Sequence, residues 1–583
     1  MARRKIQAGV LAGALALALI ASSCGDSKES SDGSSSSKTT EAGGANDDLN
    51  TASCGTLKVD KNAKSGGTFT DLAFLSDSGT NTSFDPGVVQ TLSESQITTA
   101  LYDGLTDFDF TQKCSPKLKG AVASSWKANS DASEFTFKIK KGITFSDGTP
   151  VLPSSFKAGW ERAGSAKLAS AYGYLIDYVK GGSKLQDGTA TTLPAIAADD
   201  DAMTLTVTLE SPNADFPSIV SHPFFSPVDK ADLAKIGETT GWGTKGLTVG
   251  NGPFKLESAD EKQVVLVPNT KWAGNVYGDK KVLVDKLVFK STIDVETAYQ
   301  AFESGDGDDA PVPSGQYKDA MATYPKNTVT SPNIGSYYFD FGEDDPQLGG
   351  AKNLELRRAI SQAINRDEIN TKVYEGTRKI STGIVPPGIP GYKAGLCKYC
   401  NYNVTAAKAA LAKWKAAGGK LTSPIKINYN EGGSHVDVAT IIQANLKDNL
   451  GIDATLAGVA EDYFKVVAQP GGCNICRSGW YADYPTYGNF MVDLFSKASI
   501  GGNNFGRFSN AKFEAAIKAA QAETNDTKRG ELYNQAEDIL LNQDTATIPL
   551  VFYTGGQVFR DSVDNYDQPP LGIMLWERIS AGN

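Results

Sequence analysis

IKINYNEGGSHVDVATIIQANLKDNLGIDATL, residues 425 to 456, is the clearest indication of the fold class. Ile425 to Asn430 alternates apolar and polar side chains, as a half-buried strand does. Val436 to Leu450 has the spacing of an amphipathic helix that Gly451 stops, and Ile452 to Leu456 is again typical of a strand. Because strand, helix and strand follow in this order, the segment predicts a parallel sheet and a mixed α/β fold.

Strands and helices also alternate on the N-terminal side of this segment. The bounds follow from apolar periodicity, from capping residues before a helix and from glycines after it. In order, the predicted elements are a strand at 135–139, a hairpin turn at Asp147-Gly148, a helix at 154–163, strands at 254–256, 264–267 and 282–289, a helix at 295–303 capped by Asp294 and closed by Gly305, and a helix capped by Thr405 that ends at Gly418-Gly419.

Length and composition describe an exported globular protein of several domains. The chain has 583 residues, of which 40% are hydrophobic and 21% charged, and this length is too great for one ordinary core. Its formal net charge of −10 argues against nucleic acid or an anionic membrane surface as a partner. We therefore expect two or three globular domains with no nucleic-acid partner, in a protein that acts as a monomer.

Catalytic and metal-binding patterns are scarce in the sequence. His222 and His435 are its two histidines, and no Walker, HExxH or GxSxG pattern is present. His222 is expected in a turn or in the core, and His435 at the start of a helix. We therefore expect a non-enzyme with no catalytic residue, no metal site and no cofactor.

The N-terminus has the pattern of an export leader. A basic tip is followed by an apolar run from Val10 to Ile20 and by small residues just before Cys24. The pattern resembles the lipobox of bacterial lipoproteins, although Ala21 stands where that group usually has leucine. The sequence predicts a signal peptide over 1–23, lipidation of Cys24 and a flexible linker over 24–58, since residues 25–50 are almost without apolar side chains. The alternative is an ordinary cleaved leader.

Six further cysteines indicate disulfides, because cysteines in even number are typical of exported proteins. We favour a bond between Cys54 and Cys114, with two CxxC pairs either closed locally or cross-linked. A zinc site or a thioredoxin-like site is the less favoured alternative, since the two pairs are too far apart for a zinc ribbon. The CxxC pairs are Cys397 with Cys400 and Cys473 with Cys476.

Eight blocks, in the same order, resemble the solute-binding family 5 of bacterial ABC importers, which includes oligopeptide- and dipeptide-binding proteins. The blocks are GGTFT at Gly66, LYDGLTDFD at Leu101, SSWKANSDASEFTFKIKKGITFSDGTPV at Ser124, GNGPFKL at Gly250, NTKWAG at Asn269, LELRRAISQAINRDEI at Leu354, IVPPGIPGY at Ile384 and RSGWYADYPTYGNF at Arg477. Two departures are visible. SGDGDDA at Ser304 replaces the usual SGEID, and PTYGNF lacks the acidic residue that usually follows the Asp-Tyr pair.

The resemblance implies a periplasmic-binding-protein-like type II fold, in which two lobes close on a ligand and a further domain is inserted. It implies a discontinuous domain I over 59–107, 222–338 and 555–583, an inserted domain II over 108–221 and a closing lobe, domain III, over 339–554. Closure about hinge strands would shift a two-state equilibrium, because the ligand contacts both lobes only in the closed form. The expected partners are a short peptide, an importer permease and its ATPase, and the membrane through the lipid anchor alone.

The resemblance also implies a peptide site around Arg477 to Asp483. Asp483 matches an aspartate that pairs with the α-ammonium of the ligand, Trp480 lines the same wall, and Arg477 matches an arginine that meets a peptide carboxylate. Core packing for Trp480, a loop cap for Asp483 and an ion pair for Arg477 are the alternatives. The other ligand-binding candidates are Gly479, Tyr481, Asn251 and Tyr338.

The predicted function is that of a lipid-anchored protein on the extracytoplasmic face of the bacterial cell membrane, which captures oligopeptides for an ABC importer. Gly250 to Gly252 either contacts the peptide or forms a plain turn, and Tyr337 and Tyr338 either touch ligand or pack. Another solute on the same fold is the alternative, whether an oligosaccharide, an opine-like compound or a metal chelate. A peptide-sensing receptor and an exported enzyme also remain open.

Overall fold

A long mixed β-sheet is the central feature of the computed structural model, which describes residues 55–72, 84–89, 91–236, 242, 247–292 and 294–582. The strands are β1 (Thr68–Asp71), β2 (Thr106–Asp109), β3 (Lys117–Gly120), β4 (Ala123–Ala128), β5 (Glu134–Ile139), β6 (Ile196–Asp199), β7 (Thr204–Thr208), β8 (Phe254–Ala259), β9 (Gln263–Pro268), β10 (Lys286–Lys290), β11 (Asp309–Pro311), β12 (Thr328–Phe341), β13 (Lys379–Ile380), β14 (Ile425–Asn430), β15 (Ala454–Val459), β16 (Ile475–Tyr481) and β17 (Thr547–Phe559). The long sheet has the order β15-β14-β16-β12-β17-β11-β1-β10-β9-β8, and β13 also pairs with β17.

Helices precede, follow or connect these strands. They are α1 (Leu92–Leu101), α2 (Pro153–Ala163), α3 (Gly182–Gln186), α4 (Phe216–Ile219), α5 (Lys230–Ile236), α6 (Val295–Glu303), α7 (Tyr317–Thr323), α8 (Leu354–Ala363), α9 (Arg366–Tyr374), α10 (Val404–Ala416), α11 (His435–Leu450), α12 (Tyr463–Val467), α13 (Tyr487–Phe495), α14 (Ala511–Ala522) and α15 (Asp526–Asp538). Among the residues described above, no helix has the length and apolar character needed to cross a membrane.

The parallel unit expected from the sequence is confirmed. β14 and β15 pair in parallel, and α11 connects them. The second strand begins later than predicted, because the Ile452 amide donates to the Leu446 carbonyl at 3.1 Å and so belongs to the end of the helix. Gly451 has a φ of +67°, the left-handed conformation in which a glycine ends a helix at no steric cost.

The capping residues are confirmed in one case and corrected in another. Asp294 caps α6 by accepting a hydrogen bond from the Thr297 amide. Thr405 does not cap α10. The Asn403 side chain accepts from the Ala406 amide instead, so that Thr405 lies within the first helical turn.

The two histidines lie where the sequence predicts. His222 is buried, and its Nδ1 accepts a hydrogen bond from the Phe224 amide at 3.2 Å. Burial lowers the pKa of His222 to about 3, so that its ring is neutral. His435 is the first residue of α11.

A separate four-stranded antiparallel sheet, β4-β5-β7-β6, spans residues 123–208. Its inward-facing residues include Phe135 and Phe137, which pack with Phe216 and Trp160 in one apolar core. This sheet lies inside the range predicted for domain II. The division into three domains stays a prediction.

Strands β12 and β17 form the centre of the long sheet, and their pairing is interrupted. Thr328 to Pro332 pairs with Val558 to Thr554, and the register shifts before Ser336 pairs with Phe552. On one side of the pair lie β11, β1, β10, β9 and β8, and on the other lie β16, β14 and β15. The interruption at residues 333–335 therefore separates two halves of one sheet.

Both CxxC pairs are closed locally, as one of the two predicted arrangements. Cys397 is bonded to Cys400 and Cys473 to Cys476, so these sulfurs do not form a four-cysteine zinc site. Cys114 is also disulfide-bonded. Its preferred partner, Cys54, lies outside the described residues, as do the predicted signal peptide, Cys24 and most of the linker.

Candidate functional site

A cleft of about 990 Å³ is lined by residues from both halves of the long sheet. Residues of β1, β11 and the C-terminal half of β17 line it from one half, and Tyr481 at the end of β16 lines it from the other. The end of α9 and the loop before α11 also contribute. The volume lies at the upper end of the range of about 300–1,000 Å³ that is typical of small-molecule sites.

One face of β16 contributes three of the predicted site residues. Arg477, Gly479 and Tyr481 point to the same face, since side chains alternate along a strand. The Tyr481 ring stacks on Tyr553, with centroids 4.4 Å apart and planes 8° apart, and Tyr481 is 41% exposed. A Cβ on Gly479 would collide with the Tyr553 hydroxyl group. Glycine at this position thus lets Tyr553 lie across the strand.

Arg477 lies against aromatic side chains. Its guanidinium is 5.1 Å from the ring centre of Tyr337 and 5.9 Å from that of Phe464. The Tyr337 hydroxyl is 2.9 Å from Nδ1 of His435. Burial, Arg477 and Arg378 lower the pKa of His435 to about 3. The Nε of Arg477 is buried and has no hydrogen-bond partner among the described residues. None of the described ion pairs includes Arg477, so the ion-pair alternative has no support here.

Arg378 is a cleft residue that the sequence did not indicate. It lines the large cleft, and its guanidinium stacks on Tyr374 at 3.6 Å and on Tyr553 at 5.1 Å. Its Nη1 is buried without a hydrogen-bond partner within the described part of the chain. Nothing in GTRKIST distinguishes this arginine from a surface one, because its burial comes from tyrosines distant in sequence.

Asp483 is held by hydroxyl and amide groups. Oδ1 accepts from the Tyr172 hydroxyl at 3.1 Å, and Oδ2 accepts from the Tyr174 hydroxyl at 3.3 Å and from Nδ2 of Asn489 at 3.1 Å. No lysine or arginine forms an ion pair with Asp483 among the described residues. Burial, with a contribution from nearby Asp493, raises the pKa of Asp483 to about 7. The charged form of Asp483 therefore lacks a compensating cation.

Asn489 organises this corner of the site, and it was not selected from the sequence. Its Oδ1 accepts from Nε1 of Trp480 at 2.9 Å and from the Asp483 amide at 3.0 Å. Its Nδ2 donates to Asp483 and, at 2.9 Å, to Asp493. Asn489 stands in the quoted block at Arg477, which could have indicated it, whereas SAYGYLIDY gives no sign that Tyr172 and Tyr174 reach Asp483.

A smaller cavity of about 130 Å³ lies beside Asp483. Met574 and Trp576 line both this cavity and the large cleft, so the two adjoin there. Asp103 also lines the smaller cavity, and burial raises its pKa to about 8 although Trp272 donates to it at 2.8 Å. Asp483 lines the smaller cavity, whereas Tyr481 lines the larger.

Asn251 and Tyr338 lie in packing positions. Oδ1 of Asn251 accepts from the Asp103 amide at 3.1 Å, and its Nδ2 donates to the Asp103 carbonyl at 3.0 Å. The Tyr338 side chain is 1% exposed, and its ring packs against Phe495. Neither residue lines the two cavities described above, so their assignment as ligand contacts stays a prediction that these positions do not favour.

Comparison with known proteins identifies one family and one fold. A family model described as bacterial extracellular solute-binding proteins, family 5 Middle, matches residues 117–502. The periplasmic oligopeptide-binding protein OppA of Escherichia coli is 27% identical over 83% of this chain and 87% of that protein. The probable deoxycholate-binding periplasmic protein YgiS of Escherichia coli is 29% identical over 82% and 86%.

Two solved structures show how closely the backbone matches. Haemophilus influenzae OppA in complex with RPPGFSPFR has a TM-score of 0.72 at 21% identity, over 90% of this chain and 99% of that one. The murein tripeptide-binding protein MppA of Escherichia coli has a TM-score of 0.71 at 24% identity, over 90% and 99%. The periplasmic-binding-protein-like type II fold expected from the sequence is thereby confirmed.

Proposed function

The chain belongs to family 5 of the bacterial extracellular solute-binding proteins, and from this premise we propose that it captures short peptides and delivers them to an ABC importer. Its relatives are solute-binding proteins rather than enzymes, as expected from the sequence. Several carry names of oligopeptide- or dipeptide-binding proteins, and one solved relative holds a nonapeptide. Because another relative is named for deoxycholate, the peptide assignment for this chain rests on the site itself.

The observation that carries the proposal is the environment of Asp483. Its carboxylate accepts hydrogen bonds from Tyr172, Tyr174 and Asn489, yet it has no cationic partner in the described part of the chain. Its raised pKa expresses the cost of holding that charge in a buried place. A peptide α-ammonium would supply the missing charge and a charge-assisted hydrogen bond, so it would bind and hold Asp483 ionised.

The rest of the peptide lies in the large cleft in this proposal. Tyr481, two residues before Asp483, lines the large cleft, and Met574 and Trp576 connect that cleft to the cavity beside Asp483. An extended peptide can therefore run from Asp483 past these two side chains. The unpartnered groups of Arg378 and Arg477 are candidates for its carboxylate.

Closure of the cleft follows from the same geometry. The two walls of the cleft belong to the two halves of the sheet, and the register break between Pro332 and Ser336 lies where these halves join. A small change of backbone angles at residues 333–335 would rotate one half towards the other. A ligand that contacts both walls favours the closed form by its differential affinity for that form.

The setting of the protein completes the proposal. We place it on the extracytoplasmic face of the cell membrane, held by a lipid on Cys24 and acting as a monomer with a separate permease and ATPase. The relatives named as periplasmic support an extracytoplasmic location. The lipid anchor rests on the sequence pattern at residues 1–24 alone.

The Asp483→Asn variant tests the peptide site. Loss of one partner of a desolvated ion pair costs about 2–5 kcal/mol, which corresponds to a loss of affinity of roughly 30-fold or more. Calorimetric titration with a free tripeptide should show this loss, while the same peptide with an acetylated N-terminus should bind both proteins with similar low affinity. An equal loss for free and acetylated peptides would contradict the assignment of Asp483, and failure of every peptide to bind the wild-type protein would refute the proposed function.

A further inference from the structure

Two buried carboxylates lie side by side at the wall of the large cleft. Asp71 ends β1 and Asp309 begins β11, and the two are register partners on neighbouring parallel strands. Their side chains are 2% and 1% exposed, and both residues line the cleft. Two carboxylates this close cannot both carry a charge without strong repulsion.

One oxygen of this pair has no partner. Oδ2 of Asp309 accepts from the Tyr566 hydroxyl at 2.6 Å, whereas Oδ1 is buried without a hydrogen-bond partner among the described residues. No lysine or arginine of the described chain forms an ion pair with Asp309. Burial and the charge of Asp71 raise the pKa of Asp309 well above its ordinary range. An acceptor left unpaired in this way is costly to the fold, and a donor from a ligand would remove the cost.

The cleft as a whole favours a positive ligand. Five of its described charged lining residues are acidic and two are basic. The acidic ones are Asp71, Asp294, Glu296, Asp309 and Asp437, and the basic ones are Lys372 and Arg378. A cleft lined mainly by one sign of charge concentrates ligands of the opposite sign.

The residues that form the pair lie where the chain departs from its family pattern. Asp309 follows directly on the SGDGD sequence that replaces the usual SGEID, and it brings a second carboxylate against Asp71. A buried carboxylate pair is costly for folding, so a requirement of the fold alone does not account for it. Recognition of a cation in the cleft does account for it.

We propose that Asp71 and Asp309 form a subsite that binds an organic cation of the solute, the ammonium or guanidinium of a basic side chain. The cation donates to Oδ1 of Asp309 and balances the charge of both carboxylates. This inference rests on the proposed function, and it makes the protein selective for basic peptides over neutral ones of equal size.

Paired peptides test the subsite by calorimetric titration. Ala-Lys-Ala should bind the wild-type protein at least about tenfold more tightly than Ala-norleucine-Ala, which has the same chain length without the charge. Asp309→Asn should abolish this preference and leave the affinity for the norleucine peptide nearly unchanged. Glu296→Gln is the matched control, because Glu296 lines the same cleft with its side chain exposed, and this variant should keep most of the preference.

Each outcome bears on the subsite separately from the proposed function. Equal binding of the two peptides by the wild-type protein, or loss of the preference in both variants, would overturn the subsite and leave peptide capture standing. If neither peptide binds, titration with 1,5-diaminopentane decides, since binding that Asp309→Asn removes would support the subsite and no binding would refute it. If Asp309→Asn does not fold, as judged by circular dichroism, Asp71→Asn is used with the same expected result.

Discussion

Replacement of Gly479 by alanine is the sharpest test of how the β16 face is built. The added Cβ would lie well under 3.0 Å from the Tyr553 hydroxyl oxygen, whereas atoms in contact are normally about 3.5 Å apart or more. Tyr553 cannot move freely, because it is 6% exposed, stacks on Tyr481 at 4.4 Å and lies beneath the Arg378 guanidinium. The clash must therefore be relieved by displacement of packed groups.

The expected cost follows from the size of this overlap. Overpacking of this kind typically costs about 1–3 kcal/mol of the free energy of unfolding. Removal of the hydroxyl in Tyr553→Phe leaves the ring carbon Cζ as the nearest atom of that side chain, at 3.3 Å from the added Cβ. A shift of a few tenths of an ångström relieves that contact, so the same glycine replacement should cost less than about 1 kcal/mol in the Tyr553→Phe protein.

Urea unfolding of the wild-type protein, the two single variants and the double variant measures this coupling. We expect the double variant to be more stable than the sum of the single effects by about 1–2 kcal/mol. Gly502→Ala is the control, because its Cβ would meet only the Ser499 carbonyl at an ordinary 3.5 Å, and it should change stability by less than about 0.5 kcal/mol. An equal cost of Gly479→Ala with and without the Tyr553 hydroxyl would refute the proposed packing.

Two further predictions concern the Asp483 corner. Asn489→Leu should destabilise the protein by about 2–4 kcal/mol in urea unfolding, because it leaves the indole of Trp480 and two carboxylates without their buried partner; no loss would show that the hydrogen bonds at Asn489 do not form. Since the pKa of Asp483 is about 7 in the fold, above its ordinary value of 3.8, the folded state binds the extra proton, and its stabilising effect is lost as pH rises from about 4 to 7. Wild-type protein should therefore lose stability relative to Asp483→Asn over this range, and a difference that is constant with pH would contradict the shift, while nearby Asp493, with a pKa of about 6, is present in both proteins.

Much of the fold could be predicted because its determinants are local. The alternation in Ile425 to Asn430, the helix stop at Gly451 and the cap at Asp294 each depend on residues a few positions apart, and the structure confirms them. The error at Thr405 has a local cause as well, since Asn403 and Thr405 are both good caps and only the backbone conformation selects the former. Strand bounds failed where a helix end or a loop took the residues that the pattern assigned to a strand.

The site could be predicted only in the part that is continuous in sequence. The block at Arg477 places Trp480 and Asp483 on one segment, and Asn489 lies only six residues beyond Asp483. Tyr172 and Tyr174 reach Asp483 from about 300 residues away, and Asp71 meets Asp309 only because β1 and β11 become neighbours in the sheet. No periodicity or spacing carries that information.

The amino-acid sequence by itself therefore determined the α/β class, most element positions, the family and one candidate segment of the site, because periodicity, capping and motif order act over short distances. Only the tertiary structure decided which groups surround Asp483, which glycine makes room for Tyr553, that both CxxC pairs close on themselves, and that two carboxylates share one wall of the cleft. These are contacts between distant parts of the chain, and their burial sets the charges and pKa values on which recognition depends.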